Sequence, residues 1–242
     1  MKQVFVLDPG LMEAGGHHAA FLSTLLCYEG SNALKIFAHK ELDATLLAEA
    51  EDKGLKIFRH FESNFYAHYT SDYRRDSELI QCYIRELAVE YFRAINQAVD
   101  SSPKNELVFF LPCVNWEHAS ALSLALDLLS KEKNVGAARC VFKICCMFLP
   151  REASHLSNRA RYAFAFLRLA KFTQVKLFAS DFETRNFYES LGVDISGIHP
   201  CYLLPWEQLH SQIKMPRDTP RILLYLGDAK ENKGFNRLPS LV

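Results

Sequence analysis

Two glycines followed by two histidines, Gly15-Gly16-His17-His18, close a loop that begins Asp8-Pro9-Gly10. Adjacent glycines let a backbone pass close to a ligand, and a helix starting there offers unpaired amides to an anion. His17 and His18 would stand at that helix start; the plainer alternative is a glycine turn with a histidine near the cap. A second loop, Pro112-Cys113-Val114-Asn115-Trp116-Glu117-His118, brings an amide, a carboxylate and an imidazole together. His118 is the candidate catalytic proton acceptor and Glu117 the second choice, since a cleft can bring either pKa near working pH. The alternative is that Asn115 caps a helix whose positive end Glu117 favours. A third loop, Leu149 to His155, supplies Arg151, which could hold a phosphate or carboxylate, or only pair with Glu152 at the surface. Ser180-Asp181 reads mainly as a helix cap.

These loops matter because of the elements between them. Lys2–Leu7 is an expected strand, and a helix fits from Gly16 to about Glu29. Ala33–Ala38 is the next strand, followed by a helix over Leu42–Lys53 that Gly54 closes. Leu55–Phe58 is a short third strand. The aromatic stretch Phe61–Tyr73 could be a lid over a sugar or apolar acceptor, or simply pack a long connection. Tyr73–Val99 is one amphipathic helix with Leu79, Tyr83, Leu87, Tyr91 and Ile95 at four-residue steps. Leu107–Leu111 is too apolar to alternate and suits a central parallel strand. A helix at Trp116–Lys131, a strand at Val141–Phe148, a basic helix at Ala153–Phe172 and a strand at Val175–Ala179 follow. A helix at Asp181–Leu191 and a strand at Ile198–Leu204 complete the series. This alternation predicts an α/β fold, a doubly wound parallel sheet with helices on both faces. Ligands of such sheets bind beyond the C-terminal strand ends, where the four loops gather.

Composition narrows the classes. Lys plus Arg equals Asp plus Glu at 28 each, so the basic footprint of a nucleic-acid binder is missing and no nucleic-acid partner is expected. The seven cysteines form no CxxC pair and read as small buried hydrophobes in a reducing compartment, with no metal expected. Neither GxGxxG nor a Walker loop occurs, which argues against a dinucleotide or P-loop enzyme. The N-terminus lacks signal-peptide character and no apolar run is long enough to span a membrane. A cytoplasmic protein is therefore expected, with a peripheral membrane contact through the basic helix as a minor alternative.

The order of motifs resembles the N-terminal domain of a GT-B glycosyltransferase of the retaining, glycogen-synthase-like superfamily, plus the first strand of its C-terminal domain. The residues that carry it are Gly15-Gly16, then Phe178-Ala-Ser-Asp-Phe-Glu-Thr-Arg-Asn-Phe-Tyr-Glu-Ser-Leu-Gly192-Val193, which looks like the family's last N-domain strand and helix ending in "LGV". Ile198-His-Pro-Cys-Tyr-Leu-Leu-Pro205 sits at the family's crossing segment, and Leu223-Leu-Tyr-Leu-Gly227 with Lys233-Gly234-Phe235 resembles its "VGR-x-x-x-x-KG-F" motif. Asp228 departs from that pattern, standing where the family has arginine. The resemblance implies a Rossmann-like acceptor-side domain at 1–204, an interdomain linker at 205–220, and the start of a nucleotide-sugar-binding domain at 221–242. It implies transfer of a sugar from a nucleotide-sugar donor to the hydroxyl of an acceptor glycan or small molecule, with no cofactor and no obligatory metal. Gly15, Gly16, His17, His18, Asn115, Glu117 and Arg151 would line the substrate site, and Lys233 would neutralise the leaving diphosphate. The alternative is a non-catalytic Rossmann-like binding or scaffold domain that has lost the donor site. An uncovered domain face could then support a homo-oligomer.

Overall fold

The apolar run after Lys2 forms strand β1 (Lys2–Asp8), and its side chains alternate between two cores. Phe5 and Leu7 enter one and Val6 the other, which is the period-two consequence of the pleat. The structure, a computed structural model, describes residues 2–27, 34–64, 77–131, 139–149 and 153–199. Six further strands join β1: β2 (Leu34–His39), β3 (Lys56–Phe61), β4 (Glu106–Val114), β5 (Cys140–Cys146), β6 (Val175–Ala179) and β7 (Gly197–Ile198). All pair in parallel in the order β3-β2-β1-β4-β5-β6-β7.

Helices cover the two faces unequally. Helices α1 (Gly16–Leu26) and α2 (Ala44–Asp52) pack with Val6, Ile36, Ala38 and Cys145. Helices α3 (Ser77–Ser101), α4 (Trp116–Lys131), α5 (Leu156–Leu169) and α6 (Phe182–Ser190) pack with Phe5, Phe37, Phe109, Phe142 and Cys146. The fold is thus a doubly wound, Rossmann-like α/β sheet. Cys145 and Cys146 are neighbours in β5 that lie in opposite cores. Rings of Phe5, Phe109 and Phe142 stack across three adjacent strands at 5.6 and 5.0 Å, and each such buried ring contributes about 2 kcal/mol by transfer from water.

Helix ends follow from local chemistry. Asp43 caps α2 by accepting from the Thr45 N–H, and Asp181 caps α6 by accepting from Thr184 N–H at 2.7 Å. Each cap stabilises its helix by about 1 kcal/mol. Gly192, at φ +79°, ends the stretch after α6 in a conformation that favours glycine.

The third strand reaches Phe61 instead of stopping at Phe58. Phe61 is therefore a fully buried end of the sheet, stacked edge-on to Tyr91, and not part of a lid. The rest of that aromatic stretch, from 65 to 73, lies outside the described residues. β4 carries a register irregularity against β5 between Leu111 and Val114. Among the described residues, no helix is long and apolar enough to cross a membrane. All described residues fall in the first of the chain's two compact units, Met1–Leu203. The linker expected at 205–220 and the strand expected from 221 lie outside them.

Candidate functional site

In the order β3-β2-β1-β4-β5-β6-β7, the chain leaves β1 toward one edge and builds from β4 toward the other. The connections after these two strands run to opposite faces, so a crevice opens between their C-terminal ends. The Asp8–His18 loop and the Cys113–His118 loop both start there.

Asp8 is the last residue of β1 and is only 2% exposed. A carboxylate so deep needs partners. The Gly10 backbone N–H donates to its Oδ1 at 3.1 Å, and His18 Nδ1 meets the same oxygen at 2.8 Å. The carboxylate acts as acceptor, so His18 donates from Nδ1. Burial by itself would lower the pKa of His18. The charge and hydrogen bond of Asp8 outweigh that effect and hold it above the ordinary value.

Gly10 makes room for this pair. A Cβ built on it would sit 2.3 Å from His18 Nε2, well inside contact distance. Gly10→Ala is therefore expected to push the imidazole off Asp8 and to destabilise the fold by roughly 1–3 kcal/mol. Denaturant unfolding would register the loss, and NMR titration would show the His18 midpoint falling. An unchanged midpoint would mean that the ring tolerates the methyl group.

Helix α1 begins at Gly16, whose φ of +81° suits glycine and strains other residues. Gly15 occupies the cap position and supplies no side-chain cap, and no acidic residue stands in the first turn. The first amides of α1 thus face the crevice without a carboxylate or hydroxyl of their own helix. A Cβ at Gly15 or Gly16 would meet nothing within 4 Å, so the space above them is open. The His17 and His18 rings lie 4.1 Å apart, centre to centre. His17 Nε2 is 3.6 Å from the Cys113 Sγ, which arrives from β4. Ligand-type atoms of His17, His18 and Cys113 all lie within 4.8 Å of one another.

The second loop is deeper than its sequence suggests. Asn115 caps α4, its Oδ1 accepting from the His118 backbone N–H at 3.1 Å. Glu117, 1% exposed, sits in the first turn of α4 at the positive end of the helix. His118 is 7% exposed and its Nε2 lies 3.1 Å from the Tyr83 hydroxyl of α3. Burial, and then the nearby positive charge of His18, depress its pKa to about 4, against the opposing pull of Asp8. His118 is therefore neutral at physiological pH and lies beneath the crevice. Of the two imidazoles, His18 is the one suited to carry charge there.

The structure thus brings together Gly15, Gly16, His17 and His18, with Asn115, Glu117 and His118 packed behind the adjoining strand end. Arg151 and Lys233 lie outside the described residues. Asp8, Gly10, Cys113 and Tyr83 join the site although the sequence did not single them out. Asp8 could have been noticed as an acid that closes a buried strand. Nothing local marks the partnership of Cys113 with His17, 96 residues away in sequence. A cavity of about 360 Å³ lies elsewhere, between α3, α4 and α5, with Trp116, Phe164 and Arg161 in its lining. The Arg161 guanidinium stacks over the Trp116 ring at 5.3 Å. Compared with known proteins, the chain matches no protein-family model and no curated protein.

Proposed function

We propose that this chain is the acceptor-side part of a glycosyltransferase, moving a sugar from a nucleotide-sugar donor to an acceptor hydroxyl. The observation that carries the reading is the uncapped start of α1 at the sheet crevice, with Gly16 at positive φ and the Asp8-held His18 beside it. A helix start that lacks its own side-chain cap, beside an imidazole whose pKa Asp8 raises, suits a diphosphate. The motif order from Gly15 to Phe235 supports the same reading. On it, as the resemblance implies, the residues from 221 begin the donor half, and the role of Lys233 is to neutralise the leaving diphosphate.

The test is transfer and binding by the full chain against a panel of uridine, guanosine and adenosine diphosphate sugars. Loss of kcat/KM by roughly 100-fold or more is expected for His18→Asn, whose amide keeps the bond to Asp8 but lacks Nε2. Gly16→Ala should act in the same direction through backbone strain. Failure to bind any nucleotide sugar or nucleoside diphosphate would exclude the reading.

A second reading, a non-catalytic binding domain on the same fold, draws on His118. The residue best placed by sequence for proton transfer is buried, neutral and engaged with Tyr83. Nucleotide binding without turnover would select this alternative.

A further inference from the structure

His17, His18 and Cys113 form a constellation that anion binding does not explain. Their side chains come from two loops, the start of α1 and the end of β4, and converge at the crevice rim. A tetrahedral zinc ion with a nitrogen ligand at about 2.0–2.1 Å and a sulfur ligand at about 2.3 Å sets an N···S edge of about 3.6 Å. His17 Nε2 and Cys113 Sγ stand 3.6 Å apart. The third donor, on His18, lies within 4.8 Å of the other two.

One feature outside this trio points the same way. Asp8, buried beneath the site, takes Nδ1 of His18 at 2.8 Å and so fixes the ring with Nε2 as the remaining donor. A carboxylate behind a histidine is the usual support of a metal-ligating imidazole, fixing its tautomer and raising its basicity. The Asp8 carboxylate thus orients the imidazole that a metal would use.

We propose that His17, His18 and Cys113 bind a divalent metal ion of the zinc class, with Asp8 as the positioning residue of His18. Two imidazoles and one thiolate suit zinc over magnesium or calcium, which require oxygen ligands. Three protein ligands leave the fourth position of a tetrahedron to water or a ligand. Such a site takes Cys113 as the thiolate and both imidazoles as neutral ligands, so metal binding releases protons. The proposal stands independently of sugar transfer.

The test uses the full chain carrying Cys27→Ser and Cys82→Ser, which remove the two exposed thiols among the described residues. After stripping with a chelator it is titrated with zinc and with cobalt(II). About one equivalent should bind, and cobalt should give tetrahedral d–d bands with a sulfur-to-cobalt charge-transfer band. Cys113→Ser should abolish the charge-transfer band, while His17→Gln should weaken binding about 10-fold or more. Asp8→Asn should weaken binding by about 10–100-fold while leaving the band in place at saturation. Circular dichroism of each variant separates lost ligands from lost fold, and His17→Gln at the exposed helix start keeps the question open to test if Cys113→Ser unfolds. Binding well below one equivalent, or a charge-transfer band that survives Cys113→Ser, would overturn the site. Failure of the transferase assay would leave this outcome untouched.

Discussion

Lowering the pH from 7 to 4 is expected to destabilise the domain by about 3 kcal/mol through His118 alone. In the unfolded chain its imidazole takes a proton near pH 6.5, whereas in the fold it resists until about pH 4. Above pH 6.5 both states hold it neutral and the native state keeps its full stability. Between 6.5 and 4 the unfolded state gains a proton that the native state refuses, so stability falls throughout that window. Below about 4 both states are protonated and no further loss accrues. The cause is burial between α3 and α4, reinforced by the positive charge of His18. His118→Gln has no proton to take up and can still bond to Tyr83, so it should flatten this acid limb. Urea unfolding of both proteins at pH 7 and 4.5 measures the effect. Parallel slopes would show that His118 is not held neutral.

The second large effect is an asymmetry within the Asp8–His18 pair. His18→Ala should cost about 3 kcal/mol or more, because it strands a 2% exposed carboxylate with the Gly10 N–H as its remaining partner among the described residues. Asp8→Asn should cost nearer 1 kcal/mol, since the imidazole it leaves can simply shed its proton. The pH dependence has the opposite sign to that of His118. The folded pKa of His18 is raised above 6.5, so its contribution is complete below that value and fades as pH rises through the folded pKa. Guanidinium unfolding at pH 6 and at about pH 8.5 should therefore show the gap between wild type and Asp8→Asn closing at the higher pH. Equal costs for the two variants, or a gap that widens with pH, would contradict the pairing.

The layer order is legible in this sequence because its central strands are short, strongly apolar runs, even though Val108 and Phe110 are only half-buried and Lys143 is exposed. Leu107–Leu111 and Val141–Phe148 read as strands for that reason. Gly54 and Gly192 mark helix ends because their φ values, +72° and +79°, admit few other residues. Strand ends are less legible. Phe61 looks like the start of an aromatic loop, yet the pairing of Phe61 with His39 extends β3 through it. At the site, Gly15-Gly16-His17-His18 can be read as a unit because one local turn creates it. His118 reads as a cleft residue, since a spacing cannot tell which side of a helix start meets the neighbouring helix. Its contact with Tyr83 spans 35 residues. Cys113 and Asp8 become site residues only when β4 is laid beside β1, a long-range pairing with no sequence signature.

The register irregularity in β4 has a consequence for the parity of that strand. Strict alternation would place residues 109, 111 and 113 on one face, the one covered by α3 and α4. Phe109 and Leu111 do lie there, but the next residue in that core is Val114 and not Cys113. One residue has been added to the strand at Pro112-Cys113, where a missing proline N–H already weakens the ladder. The addition turns Cys113 across the sheet to the side of α1, where it meets His17. The sulfur at the crevice is thus owed to an odd count, and a β4 shorter by one residue would keep the same fold while facing that thiol the wrong way.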